Sequence, residues 1–557
     1  METRRFILAL SLSLLVFLVY VRFFGPQPPH QGGAAPQPTQ ETAHQPVPPA
    51  QPKREPATVK FLPTAKGRDI TVETDLVKAV INTSGGVIKS WELKKHREAS
   101  KKNVGIGALY NKIIGGKKEE KPKKELGNVQ LVPSYEGVDS REMVRPLTLT
   151  PYEKALAPLS VAEYRADRSN IVLGRDRQSE TLVLTYTGPR GIFIEKRLTF
   201  YPDKYKVDVA INTRGLDGYA LSLGTDAGIS DKVSSDASGR VGTVTLIDGN
   251  FAAEKLDKIK GEAQHSGTIA WFGQEDKYFT ATILGGGQGI VTVAKTPAPK
   301  KEAGDLLTSE LIVKEKPEAR AYTLYAGPKS FDILKSYGHG MEQMVDYGWF
   351  GILAKPMFWL LQQFFAFTRN YGIAIMLLTI VVRILLFYPS LKSAMSMEEM
   401  KSLQPDILAL KEKYKKDPAR MNQETMKLYK EKKVNPLGGC LPMLMQFPFF
   451  IALYNVLSVS IELRQAVFIP FWIKDLSVHD PFYILPVLMG LSMILTMKLT
   501  STIADPSQAK MMMYMNVAFI FLFAWLPAGL LLYITLSNVL SIVQQLYVKK
   551  IIAGAKR

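Results

Sequence analysis

Arg383 has the most demanding setting of any ionisable residue in this sequence. It interrupts an otherwise apolar run, 370–391, and Thr379 stands one helical turn before it. If that run crosses a bilayer, a guanidinium within it costs ~2.5–3.5 kcal/mol, and such groups usually face a bundle interior or a water-filled cavity. Snorkelling to the headgroups is the alternative, since Arg383 stands nearer one end of the run. The later apolar runs contain no aspartate or glutamate that could pair with it. They do carry Gln446, Asn455, Ser492, Asn516, Thr535, Ser537 and Asn538. Hydrogen bonding between helices is the simpler role for most of these. An unpaired cation with polar neighbours nevertheless predicts a wet cavity inside the membrane that receives a negative guest.

Other chemistry is scarce. There is no GxxxxGK[ST] phosphate loop, HExxH helix or GxSxG elbow, and Gly105-Ile106-Gly107 is not completed by a glycine at Tyr110. His30, His44, His96, His265, His339 and His479 are scattered, and the single cysteine, Cys440, excludes an intramolecular disulfide or a cysteine-based metal cluster. The expectation is a protein that is not an enzyme and has no metal or cofactor.

A chain of 557 residues is too long for one compact core. Arg4 and Arg5 precede an apolar stretch from Phe6 to Tyr20 that runs on into Val21-Arg22-Phe23-Phe24 without small cleavage-site residues. This predicts a retained signal-anchor helix over 1–25. Residues 26–57 hold ten prolines among glutamine, alanine and glycine and predict an extended linker. From 58 to 340, short runs of period-two alternation, such as 181–186, 192–200, 205–211, 278–284 and 321–325, predict an all-β sandwich. The lysine-rich piece 117–124 reads as a solvated loop.

Residues 341–557 are different in kind. A mixed aromatic and polar segment, 354–367, suits a helix lying on the membrane surface. Apolar runs at 370–391, 438–461 and 481–497 each approach the length needed to cross ~30 Å of hydrocarbon. Residues 511–548 carry no charge and, as one helix, would extend about 57 Å at 1.5 Å per residue. Pro527-Ala528-Gly529 breaks them into two spans, 511–526 and 528–548. Between the runs, 391–436 predicts a basic helical hairpin, with Met400, Leu403, Ile407, Leu410 and Tyr414 on one face and Asp417-Pro418 opening the second helix.

The anchor and these five runs make a bundle of six transmembrane helices, so both termini lie on one side. Arg4, Arg5, eleven basic residues in 391–436, Lys498, Lys510, Lys549, Lys550, Lys556 and Arg557 mark that side as cytoplasmic; the opposite loop, 462–480, holds only Arg464 and Lys474. Residues 25–354 are then mainly periplasmic. The net charge of +19 needs no nucleic-acid partner.

The strings Val345-Asp346-Tyr347-Gly348-Trp349, Val382-Arg383, Val434-Asn435-Pro436-Leu437-Gly438-Gly439-Cys440, Gln446-Phe447-Pro448, Asp480-Pro481-Phe482-Tyr483 and Pro527-Ala528-Gly529-Leu530 resemble, in the same order, the YidC/Oxa/Alb family of membrane protein insertases in its Gram-negative form. A thinner resemblance over the β region rests on Ile81-Asn82-Thr83-Ser84-Gly85-Gly86 and Lys196-Arg197-Leu198-Thr199-Phe200. The resemblance implies an insertase and chaperone of the bacterial cell inner membrane, with a five-helix insertase core and a periplasmic β-supersandwich. It implies a hydrophilic groove at Arg383, Thr379, Gln446, Asn538 and Tyr533, and a substrate slide on the third and fifth spans with Met445, Phe449, Phe519 and Phe523. Ile534 stands where a second aromatic commonly follows Tyr533 in the family. The implied partners are nascent membrane proteins, the Sec translocon, membrane lipids, and the ribosome and targeting machinery at the hairpin and basic tail. The alternative reading is a secondary transporter passing a small anion by Arg383, which would need a doubly closed site and internal repeats; no repeat relates the early spans to the late ones.

Overall fold

Alternation in the sequence becomes strand after strand in the computed structural model, which describes residues 67–98, 127–134, 143–230, 240–297, 304–314, 319–415, 417–432, 434, 441–500 and 506–555. The anchor 1–25, the linker 26–57, the piece 117–124 and Cys440 lie outside the described residues.

The strand Lys206–Arg214 illustrates the rule. Val207, Val209 and Ile211 point inward and are almost wholly buried, while the residues between them face out. Val209 pairs with Leu198 of Phe193–Phe200 on one side and with Tyr322 of Ala319–Pro328 on the other. Burying each large apolar side chain contributes ~1.5–3 kcal/mol, so register is enforced along the whole strand. All five runs read from the sequence fall in strands to within one residue, although 279–284 is buried on both faces. Among the described residues they form a twelve-stranded and a five-stranded antiparallel-rich sheet, joined across the core by Trp91, whose Nε1 donates to Ala326 O at 2.9 Å.

After a short helix α1 (Phe331–Ser336) comes α2 (Gly351–Thr368). It buries Ala354, Met357, Phe358 and Leu361 and exposes Ile352, Trp359 and Phe367. An exposed apolar stripe of this sort suits a membrane surface. Next come α3 (Tyr371–Leu385), α4 (Phe387–Ser402), α5 (Gln404–Lys413) and α6 (Pro418–Glu431). The helical part ends with α7 (Leu441–Val459), α8 (Ile484–Thr500), α9 (Pro506–Phe523) and α10 (Ala528–Ala555).

Two sequence expectations need correction. The run 370–391 is not one straight helix: α3 stops at Leu385 and the chain turns by 66° into α4. Pro389 supplies the reason, because it cannot donate to the carbonyl of Leu385 and its ring crowds that carbonyl. The single stripe from Met400 to Tyr414 is likewise split, with α4 ending at Ser402 and Pro405 opening α5. The second hairpin helix starts as expected, Asp417 capping it by accepting from Arg420 N at 3.0 Å. The break at Pro527 also stands, between α9 and α10.

Among the described residues one helix, Ala528–Ile551, is long and apolar enough to cross a membrane unaided. The bent pair α3 and α4 passes the same test together, and Leu444–Val459, Ile484–Leu499 and Met513–Phe523 are shorter apolar helices.

Within the sandwich, Lys196 is wholly buried. Its Nζ donates to Gly85 O at 2.7 Å, Gly86 O at 3.2 Å and Leu147 O at 2.8 Å, and lies 5.1 Å from the centre of the Tyr164 ring. Gly85 and Gly86 form a left-handed turn, φ +77° and +57°, that glycine adopts readily. The two strings that carried the β-region resemblance thus meet at one ammonium. Burial pushes Lys196 down to about 7, below its unfolded value, so between pH 7 and 9 the unfolded chain binds more protons and stability rises with pH. We expect Lys196→Met to flatten that rise, which for one proton is at most ~1.4 kcal/mol per pH unit. Unfolding of the full chain in detergent, followed by tryptophan fluorescence across this window, measures it; an identical slope in both proteins refutes the assignment.

Candidate functional site

Two pairs of residues spaced four apart create the site. On α3, Thr379 and Arg383 share one face; on α10, Tyr533 and Ser537 do the same. The helices pack together, and the Arg383 guanidinium reaches across to donate from Nη2 to the backbone carbonyl of Ser537 at 2.6 Å. That carbonyl also accepts from Ser541 Oγ at 3.1 Å. Among the described residues no carboxylate pairs with Arg383. Its Nε is buried with no protein partner, and so are Tyr533 Oη and Ser537 Oγ. Gln446 of α7 and Ser537 both bring polar side chains close to the Tyr533 hydroxyl. Buried polar atoms left unpaired are expensive, so this corner suits guests rich in acceptors, such as water or a carboxylate.

Arg383, Gln446 and Tyr533 therefore come together, whereas the hydroxyl of Thr379 and the amide of Asn538 are engaged elsewhere. Thr379 is fully buried, and its hydroxyl donates to Ile375 O of its own helix at 2.7 Å. Asn538 lies five residues from Tyr533, on a different face of α10, and its Nδ2 donates to Ser492 Oγ of α8 at 3.0 Å. Sequence reasoning gave Ser537 no special role because its contribution to Arg383 is a backbone carbonyl. Its one sequence signal is the spacing of four from Tyr533.

The slide residues lie on two helices that no close-packed seam joins among the described residues: α7 packs on α2, and α9 on α8. Met445 and Phe449 are half-buried on α7. Phe519 and Phe523 of α9 stack at 5.4 Å with planes 7° apart, and Phe521, between them in sequence but on another face, is exposed.

One loop fastens the helix starts on the side away from the hairpin. Asn370 caps α3 by accepting from Gly372 N at 2.8 Å, and its Nδ2 donates to Phe468 O at 3.0 Å. Asp480 is fully buried and accepts from Trp472 Nε1, Phe482 N and Leu485 N at 2.7, 3.0 and 2.7 Å. Ala528 N and Gly529 N, at the start of α10, donate to Val478 O and Leu476 O. At the opposite end α4 is held against α10, Ser390 Oγ donating to Gln544 Oε1 at 3.0 Å, and against α8, where Lys401 donates to Leu499 O.

The family described as 60Kd inner membrane protein matches residues 363–555, and that described as YidC periplasmic domain matches 123–360. The membrane protein insertase YidC of Syntrophus aciditrophicus is 36% identical over 578 residues, covering 98% of this chain and 99% of that protein. The one from Geobacter metallireducens is 35% identical, covering 99% of each. A crystal structure of an active YidC insertase with its first transmembrane domain resolved covers 96% of this chain and 98% of its own, at 18% identity and a TM-score of 0.37. With relatives above 30% identity aligned over nearly the full length of both partners, the chain belongs to the YidC family of membrane protein insertases.

Proposed function

We propose that this insertase draws the polar end of a client into the corner formed by Arg383, Tyr533, Ser537 and Gln446, while the client's apolar segment slides along α7 and α9 past Met445, Phe449, Phe519 and Phe523. The observation that carries this reading is a guanidinium whose protein partner is one carbonyl and that has no carboxylate among the described residues. A wet groove entered from the cytoplasm shortens the dry distance a polar tail must cross. At an effective dielectric near 20, a carboxylate at about 4 Å from Arg383 gains ~4 kcal/mol before desolvation is subtracted. Thr379 and Asn538 support the groove by holding α3 and the α8–α10 seam.

Six spans, both termini in the cytoplasm and residues 25–354 mainly outside make up the proposed topology. Basic residues support it: they concentrate at 391–436 and at the end of the chain. The hairpin of α5 and α6 then faces the cytoplasm. Its cleft of about 450 Å³ has an apolar floor of Ala409, Leu410 and Leu428 between charged walls, a form suited to the ribosome or targeting machinery. Partnership with the Sec translocon is proposed on the family resemblance alone.

Three outcomes are expected. Cysteine labelling of intact cells should reach 25–354 but not 391–436, and labelling of the hairpin from outside overturns the topology. In vesicles bearing matched levels of each variant, Arg383→Ala should impair a client with an acidic tail at least tenfold more than the same client with a neutral tail. Arg383→Lys should restore most of the loss; equal loss for acidic, neutral and basic tails overturns electrostatic capture. Ser537→Leu should approach the effect of Arg383→Ala by blocking approach to the carbonyl, whereas Ser537→Ala should lose no more than about threefold; equal tolerance of both removes Ser537 from the site.

A further inference from the structure

Two of the contacts between the β domain and the helical part bear on how the domain is held. The first follows the chain itself. Tyr347 O accepts from Asn455 Nδ2 of α7 at 2.8 Å, and the Tyr347 ring lies 5.9 Å from that of Phe358 on α2. Gly348, the next residue, has φ +66°, a conformation that glycine adopts at little cost.

The second joins residues far apart in sequence. After α7 a single turn, Ile461–Leu463, delivers Arg464 and Gln465 to the edge of the β domain. The Arg464 guanidinium lies over the rings of Tyr278 and Phe279, at 5.6 and 5.3 Å. Gln465 Nε2 donates to Arg97 O at 3.1 Å and Glu98 O at 3.3 Å, where the strand Val87–Arg97 ends.

The receiving surface is built to be rigid. Asp276 is buried in the tight turn that presents both rings; its Oδ1 accepts from Tyr278 N and Phe279 N at 2.8 and 2.7 Å, and its Oδ2 from Ser230 N and Oγ at 2.7 and 2.6 Å. His96 sets its edge against Phe279 at 5.5 Å, and its Nε2 lies 3.4 Å from Tyr205 Oη. Burial first, then Arg464 and Lys95, bring His96 down to about 4, so at neutral pH it adds no charge against Arg464.

We propose that Arg464 and Gln465 are an intramolecular docking site that fixes the orientation of the β domain over the outer end of α7. The contacts at the chain junction, among them Tyr347 O with Asn455 and Gln362 Nε2 with Asp332 Oδ2 at 2.8 Å, gather at the connection from α1 to α2; an attachment away from that connection restrains rotation about it. The surface fits a planar cation and an amide donor, the two groups that 464 and 465 supply, and a cation over two aromatic faces is favourable. While the contact is made, the orientation of the β domain and the position of the outer end of α7 are one coupled variable.

The test uses the full chain in lipid nanodiscs with Cys440→Ser, spin labels attached after Asp257→Cys on the β domain and Lys474→Cys on the outer loop, and distance measurement by electron paramagnetic resonance. The parent should give one narrow distance distribution. Arg464→Ala with Gln465→Ala should broaden it at least twofold, and Arg464→Lys alone should leave it narrow, since a cation remains over the rings. Tyr278→Leu with Phe279→Leu should broaden it to the same extent, and combining all four should broaden it no further, because both pairs act through one contact. A distribution that stays narrow in Arg464→Ala with Gln465→Ala overturns the proposal. So does additive broadening in the combined variant.

Discussion

Everything near the groove follows from holding one guanidinium inside an apolar bundle without a carboxylate. Arg383 can be kept there only if α10 comes close enough for a backbone carbonyl to serve as acceptor, and close approach of two helices needs small side chains at the contact. Ser537 and Ser541, whose hydroxyl shares the same carbonyl, meet that demand. Tyr533, one turn earlier, adds a hydroxyl to the same corner, and among the described residues the buried Arg383 Nε has no protein partner. A carboxylate partner would have lowered the cost of burial, but it would also have occupied the site.

Such a corner is useful only if the helices around it keep their positions, and both ends of the bundle are fastened. On one side Asn370, Asp480 and the backbone of Leu476 and Val478 tie the starts of α3, α8 and α10 to a single loop. On the other, the turn at Leu386 sends α4 across α10, where Ser390 meets Gln544. Arg383 stands three residues before that turn. Its side chain is therefore close to where the bundle opens, which makes snorkelling and cavity lining less distinct than the sequence suggested: the corner is both near the end of α3 and buried against α10.

What was legible in the sequence depended on the range of the interactions involved. Strands such as Lys206–Arg214 declare themselves because alternation is local and each inward residue is buried in turn. The break at Pro527 and the cap at Asp417 are equally local. The turn at Leu386 was legible in principle, since Pro389 is there to be read, but the unbroken apolar character of 370–391 outweighed it. Tertiary partners were much less visible. Composition grouped Thr379 and Asn538 with Arg383 because all are polar in apolar runs, yet helix geometry turns Asn538 toward Ser492 and lets Thr379 satisfy itself on Ile375. Ser537 acts through its main chain, which no side-chain pattern reports.

Lys196 and Arg383 make the same point from opposite directions. Lys196 has three donors and gives them to three carbonyls, with the Tyr164 ring nearby; it is saturated, and its effect is to pin a glycine turn of one sheet to the other. Arg383 has five donors and gives one of them to Ser537 O, while its Nε is buried without a protein partner. Neither has a carboxylate, so charge pairing does not separate them. The degree of saturation does. Lys196, with its donors answered, holds two sheets together, whereas Arg383 sits in a bundle fastened at both ends with its Nε unanswered among the described residues, and that is the demand on which the proposed capture of a client's polar end rests.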